Sequence, residues 1–222
     1  MPYYWYAIVP SLPLRAERSP VPVALAPIAY RDLTAVVAEV ARHRVLPTTS
    51  AVWDHHRVIE HLSEVTEARV LPLRFGTVLP DLDAIFRQLT NHYEQWQGLL
   101  KTLAGYGELA IKVLWNPPPI SVPAPTAVSP YLAKRLNQRR LREVAKQQAD
   151  AIDRQLANLA ARRQQSILPV PELLMAANYL VARHQTTAFR QVVRLLMDEN
   201  TTYRWLCTGP WPPYHFSSVE DA

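Results

Sequence analysis

The stretch Thr208-Gly-Pro-Trp-Pro-Pro-Tyr-His-Phe216 puts three prolines, a tryptophan, a tyrosine and a phenylalanine into nine residues. Proline fixes φ near about −65° and has no N–H to donate, so this segment suits neither a helix nor a central strand. It is expected to run extended, stiffened at Pro210, Pro212 and Pro213, with Trp211, Tyr214 and Phe216 in need of cover. Disordered tails seldom carry such aromatic density. The reading adopted is that the segment folds back on its own chain with Trp211 as chief anchor. The competing reading keeps the aromatic face for a partner, as polyproline segments often do.

Working back from this tail, Tyr203–Cys207 reads as a strand and Thr187–Glu199 as a helix with Phe189, Val192, Val193 and Leu196 inward. Leu173–Val181 is almost wholly apolar and suits a central strand, with Ile167–Val170 as a shorter one before it. Tyr131–Gln165 reads as the longest helix. Its apolar stripe holds Leu132, Leu136, Leu141, Ala145, Ala149, Ile152, Leu156 and Leu159, and its other faces are rich in Lys and Arg. Arg139, Arg140 and Arg142 are expected in water, open to a partner. Helix–strand–strand–helix–strand is a ferredoxin-like βαββαβ pattern lacking its first strand.

From Asn116 to Pro130 six prolines fall within fifteen residues, which reads as a semi-rigid linker. The expected architecture is therefore α+β in two domains, 1–117 and 131–222, joined by the linker 118–130. The second is a modified ferredoxin-like fold with a long first helix and an extended Pro/aromatic tail, 208–222. In the first domain Tyr3–Val9, Leu33–Val40, Val70–Phe75 and Glu108–Trp115 read as strands, and residues 10–32, with five prolines, as mostly loop. Thr48–Ser50 offers caps for a helix to about Glu67, and Asp81 caps a long helix to Leu103. Gly105 and Gly107 close that helix.

With 222 residues, 49% hydrophobic and 19% charged, the composition is that of a globular protein. Cys207 is the only cysteine, which fits a reducing compartment. Neither a signal peptide nor an apolar run of ~20 residues is evident, so a cytoplasmic, non-membrane protein is expected. The net charge of +5 is uneven: residues 1–117 carry 11 Lys/Arg and 11 Asp/Glu, the remainder 13 and 8. That excess points to an anionic partner or a solvated basic face.

Candidate chemistry is thin. In Trp53-Asp-His-His-Arg-Val-Ile-Glu-His61, His56 and Glu60 lie one turn apart with His61 adjoining, but zinc needs three or four converging ligands and no later Cys/His pair has suitable spacing. A polar helix face accounts for these residues better. Cys207 sits among apolar neighbours, where a thiol behaves as a small hydrophobe, and His215 alone does not make it a nucleophile. With five glycines in the chain, no phosphate or dinucleotide loop is present, and no cofactor is expected. Nucleic-acid binding is the serious alternative, since a basic ferredoxin-like domain fits it. Arg74-Phe75-Gly76, however, is only a fragment of the base-stacking strand such modules use.

Four stretches in order resemble the gas vesicle protein GvpF/GvpL family. They are Tyr3-Tyr-Trp-Tyr-Ala-Ile-Val9, Val70-Leu-Pro-Leu-Arg-Phe-Gly-Thr-Val78, Ala110-Ile-Lys-Val-Leu-Trp115 and Gly209-Pro-Trp-Pro-Pro-Tyr-His-Phe216. The resemblance covers nearly the whole chain. It implies a non-enzymatic accessory protein of gas vesicles, found as a minor vesicle component or assembly factor. Its implied partners are the hydrophobic shell protein GvpA, kept from aggregating during nucleation, and other accessory proteins, with neither nucleic acid nor membrane. No catalytic residues are implied. The signature residues Arg74, Phe75, Gly76, Gly209, Pro210, Trp211, Pro212, Pro213 and Tyr214 are expected to serve structure or partner contact.

Overall fold

The computed structural model describes residues 1–11, 19–117, 130–165 and 172–217. Within these, contacts gather the chain into two units. The first comprises Met1–Glu108 with Pro210–Ala222, the second Leu109–Gly209. The expected division at 118–130 is thus not where the units part. The chain passes between them inside strands, and the linker residues 118–129 lie outside the described residues.

The first unit is built on a five-stranded sheet. Its central strand β1 (Tyr3–Pro10) pairs antiparallel with β3 (Leu33–Glu39) on one side and with the two-residue strands β4 (Leu71–Pro72) and β5 (Val78–Leu79) on the other. β2 (Ala26–Tyr30) forms the edge, joined to β3 by a tight turn in which Arg31 takes φ of 54°. The short extended piece expected in residues 10–32 is this β2. The strand expected over Val70–Phe75 is confined to Leu71–Pro72; Leu73 still donates to the Tyr6 carbonyl of β1, and the chain then turns over Arg74 to Thr77.

Side chains alternate across a strand, and β1 uses both faces. Tyr4 and Tyr6 point to α1 (Thr49–Val65), where Tyr6 stacks on His55 at 5.5 Å. Trp5 points the other way and meets Trp96 edge-on at 5.7 Å. The Thr48 hydroxyl caps α1 by accepting from the Ala51 N–H at 3.2 Å, and the Asp81 carboxylate caps α2 (Leu82–Asn91) through Ala84 at 2.7 Å. The long helix expected to Leu103 is in fact two. His92 leaves helical geometry at φ −114° and ψ 13°, and α3 (Tyr93–Leu103) restarts with Trp96, Leu99, Leu100 and Leu103 buried. A stripe at spacings of three and four survives such a break, so the sequence does not betray it.

The second sheet has the order β7-β8-β6-β9, with β6 (Tyr106–Leu114), β7 (Arg162–Gln165), β8 (Leu173–Ala182) and β9 (Arg204–Trp211). β6, expected to belong with the first domain, is therefore a strand of this sheet, which is not short of one. α4 (Pro130–Ala157) ends eight residues before the expected Gln165, and β7 takes up the difference. The strand expected at Ile167–Val170 lies outside the described residues. α5 (Thr186–Glu199) follows β8, the inner and nearly all-buried strand.

Leu109, Ile111 and Val113 of β6 meet Ile152 and Leu156 of α4 and Phe189, Val193 and Leu196 of α5 in one core. Inside it the Tyr179 hydroxyl donates to the buried Asp153 at 2.8 Å, and Arg163 pairs with the same carboxylate. β9 is an edge strand, the one place where Pro210 costs the ladder nothing.

Candidate functional site

Three of the four signature segments, Tyr3–Val9, Val70–Val78 and Gly209–Phe216, converge on His55. This histidine stands in register with Val58, Ile59 and Leu62, a spacing of three, four and seven that places it on the buried face of α1. It is 4% exposed, whereas sequence reading dwelt on its neighbours His56 and His61. That apolar spacing is the signal by which His55 could have been found.

Its ring is fixed at both nitrogens. Nε2 lies 3.1 Å from the Leu73 carbonyl, which can only accept, so Nε2 carries the proton. Nδ1 then accepts from the Tyr4 hydroxyl at 2.9 Å, and the Tyr4 oxygen in turn accepts from the Gly76 N–H at 3.1 Å. Phe75 meets the Tyr4 ring at 6.0 Å and the His55 ring at 5.8 Å, both edge-on. Gly76 takes φ of 87°, which a side chain would strain. Arg74 is exposed, and its carbonyl accepts from the Thr77 N–H and hydroxyl to close the turn. The turn at 74–77 is thus held to β1 and α1 by the His55 and Tyr4 side chains, between the backbone bonds Leu73 N–H to the Tyr6 carbonyl and Trp5 N–H to the Thr77 carbonyl, both 2.9 Å.

The tail closes over this cluster. After β9 it does not stay extended: Tyr214 N–H reaches the Pro212 carbonyl at 2.8 Å and Phe216 N–H the Pro213 carbonyl at 3.2 Å, a compact turn. Tyr214 lies 6.4 Å from the His55 ring and Trp211 5.0 Å from His56. Pro212, Pro213 and Phe216 are buried while Trp211 is half-buried, so Trp211 is not the chief anchor; Phe216, 2% exposed, is. Ser217 Oγ adds a bond to the Pro72 carbonyl at 3.1 Å.

A carboxylate holds the turn. Glu108, 3% exposed, accepts from the His215 N–H at 2.9 Å through one oxygen and faces His215 Nδ1 at 2.6 Å with the other. Five residues before His215, Pro210 lies so close to Gly107 that a Cβ there would stand 2.9 Å from the Pro210 Cβ. Gly209, at φ 104°, ends the second unit, where Arg190 donates to its carbonyl.

The environment is desolvated, and the ionisable groups record it. Burial drives the His55 pKa down to about 4, against the weaker pull of the Leu73 hydrogen bond. Burial likewise pushes Tyr4 up to about 12 and raises Tyr214 and Glu108, the last despite its bonds to His215. His55 is therefore neutral over the physiological range, as its bonding requires.

The remaining candidates do not assemble into a reactive centre. His56 and Glu60 approach at 4.0 Å on the helix surface, and among the described residues no three His, Cys, Asp or Glu side chains gather to hold a metal. Cys207 is half-buried with its thiol pKa raised by burial, the opposite of an activated nucleophile. Arg139, Arg140 and Arg142 are all exposed on α4, in the second unit, whereas the His55 cluster belongs to the first. Among the described residues no helix is long and apolar enough to cross a membrane.

These features define a class: a two-unit α+β protein whose Pro/aromatic tail closes its first unit. Residues 2–218 match the family described as gas vesicle synthesis protein GvpL/GvpF, and the chain belongs to that family. Gas vesicle protein L of Streptomyces sp. (strain CB03234) is 31% identical over 186 residues, covering 75% of this chain and 68% of that one. Gas vesicle protein F1 of Halobacterium salinarum is 25% identical over 191 residues, covering 86% and 79%. The crystal structure of GvpF from Anabaena sp. PCC7120 shares the fold with a TM-score of 0.84 at 19% identity, over 98% of this chain and 96% of that one. GvpF from Microcystis aeruginosa does so at 0.84 and 18%, over 98% and 99%.

Proposed function

We propose that this chain is a non-enzymatic accessory protein of gas vesicles that binds the shell protein GvpA, together with other accessory proteins, and limits GvpA aggregation during nucleation. Family membership supports the gas vesicle role. The observation that carries the GvpA reading is an aromatic surface on the first unit. Trp53, 57% exposed, leans on His56 at 5.8 Å, and His56 on the half-buried Trp211 at 5.0 Å. Val52 beside them is 44% exposed. Of the signature residues Arg74, Gly76 and Pro210 are exposed, Phe75, Gly209, Trp211 and Tyr214 half-buried, and Pro212 and Pro213 buried. Rigid aromatics around a closed tail suit a partner whose own apolar surface must be kept from self-association.

The order β7-β8-β6-β9, with β6 as the first strand, supports reading the second unit as a modified ferredoxin-like fold. Co-expression with GvpA followed by pull-down in moderate salt tests the reading. GvpA should be recovered soluble and bound, and Trp53→Ala with Trp211→Ala should lower its recovery. Capture of nucleic acid with GvpA left insoluble would instead favour a basic nucleic-acid-binding protein.

A further inference from the structure

α4 is two helices in one as far as its surroundings go. Its second half lies in the core, with Ile152 4% and Leu156 0% exposed. Its first half stands in solvent. Leu132 and Leu136, read from the sequence as part of the buried stripe, are 51% and 47% exposed. The reason is rotation: at about 100° per residue they point to the side of the helix roughly opposite Leu156. Leu141, Ala145 and Ala149 keep the inward register and are half-buried.

Beside the two leucines runs a cationic row. Arg135, Arg139, Arg142 and Lys146 are all exposed and follow one another at spacings of four, three and four. Such a row occupies an arc of roughly 60° and a length of roughly 16 Å. Arg135 is steered by its guanidinium lying 5.7 Å over the Tyr131 ring. Glu143 is the only anion among residues 131–146, and it pairs with Arg139 at 3.2 Å with both side chains mostly in water. Arg140 lies off the row, about 100° from Arg139.

We propose that this face of α4 docks an acidic amphipathic helix of another protein. The four-three-four spacing is the periodicity that a second helix laid alongside presents, so carboxylates at the same spacing meet all four cations. Leu132 and Leu136, next to the row and half-exposed, suit a partner that brings apolar side chains with its charge. A phosphate backbone brings none. A bilayer surface demands a wider apolar face than two leucines. The docking face belongs to the second unit and operates whether or not the aromatic surface of the first binds GvpA.

The test uses the full chain and a fluorescent helical peptide of about 20 residues with Glu at four-three-four spacing beside a row of Leu. Binding is read by anisotropy at about 0.15 M salt. Arg135→Glu with Arg142→Glu should weaken binding by about tenfold or more, and a peptide with Lys at only the two positions facing residues 135 and 142 should recover it on that variant. Leu132→Ser with Leu136→Ser should weaken it about fivefold, while Arg140→Glu stays within about twofold. Circular dichroism melting confirms that the variants fold. Indifference to the leucine changes, or equal losses for Arg140→Glu and Arg142→Glu, would overturn the proposal. So would tighter binding of single-stranded RNA or of phosphatidylglycerol vesicles than of the peptide.

Discussion

His55 is a histidine used as a neutral core residue, and each of its bonds can be questioned separately. Tyr4→Phe removes the donor to Nδ1 and the acceptor of the Gly76 N–H together, leaving the buried Nδ1 unpaired. It should cost about 1–3 kcal/mol by denaturant unfolding, and exchange of the Gly76 amide should quicken. Acid offers a second test. An unfolded His55 takes its proton below about 6.5, whereas the folded ring refuses it until about 4. Stability from this residue is thus complete above pH 6.5 and drains away between 6.5 and 4, by about 3 kcal/mol in all. Glu108 acts in the opposite sense: burial raises its pKa above 4.5, so its contribution falls as pH rises through the window just above that value. His55→Gln, which keeps a donor and an acceptor, should abolish the loss on acidification and leave the shallow Glu108 trend. An unchanged slope in that variant would show that other groups carry the acid sensitivity. His55 was legible in the spacing of Val58, Ile59 and Leu62; its partners were not, because Tyr4 and Leu73 lie in other elements.

At the scale of elements, the tail shows what composition conveys and what it hides. Density of proline and aromatics correctly marks a segment that packs on its own chain. It does not say which ring goes deepest, since that depends on the turn after Pro213, which the Glu108 carboxylate and the Ser217 hydroxyl help to fix. Phe216→Ala should therefore cost about 3–5 kcal/mol, and Trp211→Ala distinctly less, with thermal melts of the two variants as the check. An equal cost would mean that the half-exposed indole anchors the tail after all. The same limit applies to α2 and α3, where the apolar stripe runs on through His92, and to α4, where Leu132 and Leu136 carry helical spacing on the wrong side. Periodicity reports that a face is apolar; it does not report whether anything covers it.

The molecule as a whole is not cut where its prolines are. A domain boundary in the linker would make residues 1–117 and 131–222 independent pieces. The first of these lacks the tail that covers His55, and the second lacks β6 between β8 and β9. Neither fragment should fold alone. Expressed separately, both should show poor dispersion in amide NMR spectra, and a sharp cooperative melt from 1–117 by itself would contradict the assignment of residues 210–217 to the first unit. Linker composition is legible in any sequence; which strand pairs with which across a hundred residues is not.

The interleaving of the two units also sets an order in time. Glu108 grips His215, and these partners are 107 residues apart. At about 5–20 residues per second of ribosomal synthesis, the first unit waits roughly 5–20 s for the segment that closes it. Throughout that interval Tyr4, His55 and Phe75 are made but uncovered, and the second unit is synthesised in full before the first can finish. The nascent chain therefore spends those seconds with an open aromatic site that no finished molecule displays. A chaperone engaging the ribosome-bound chain would find it there, and should lose it upon emergence of Phe216.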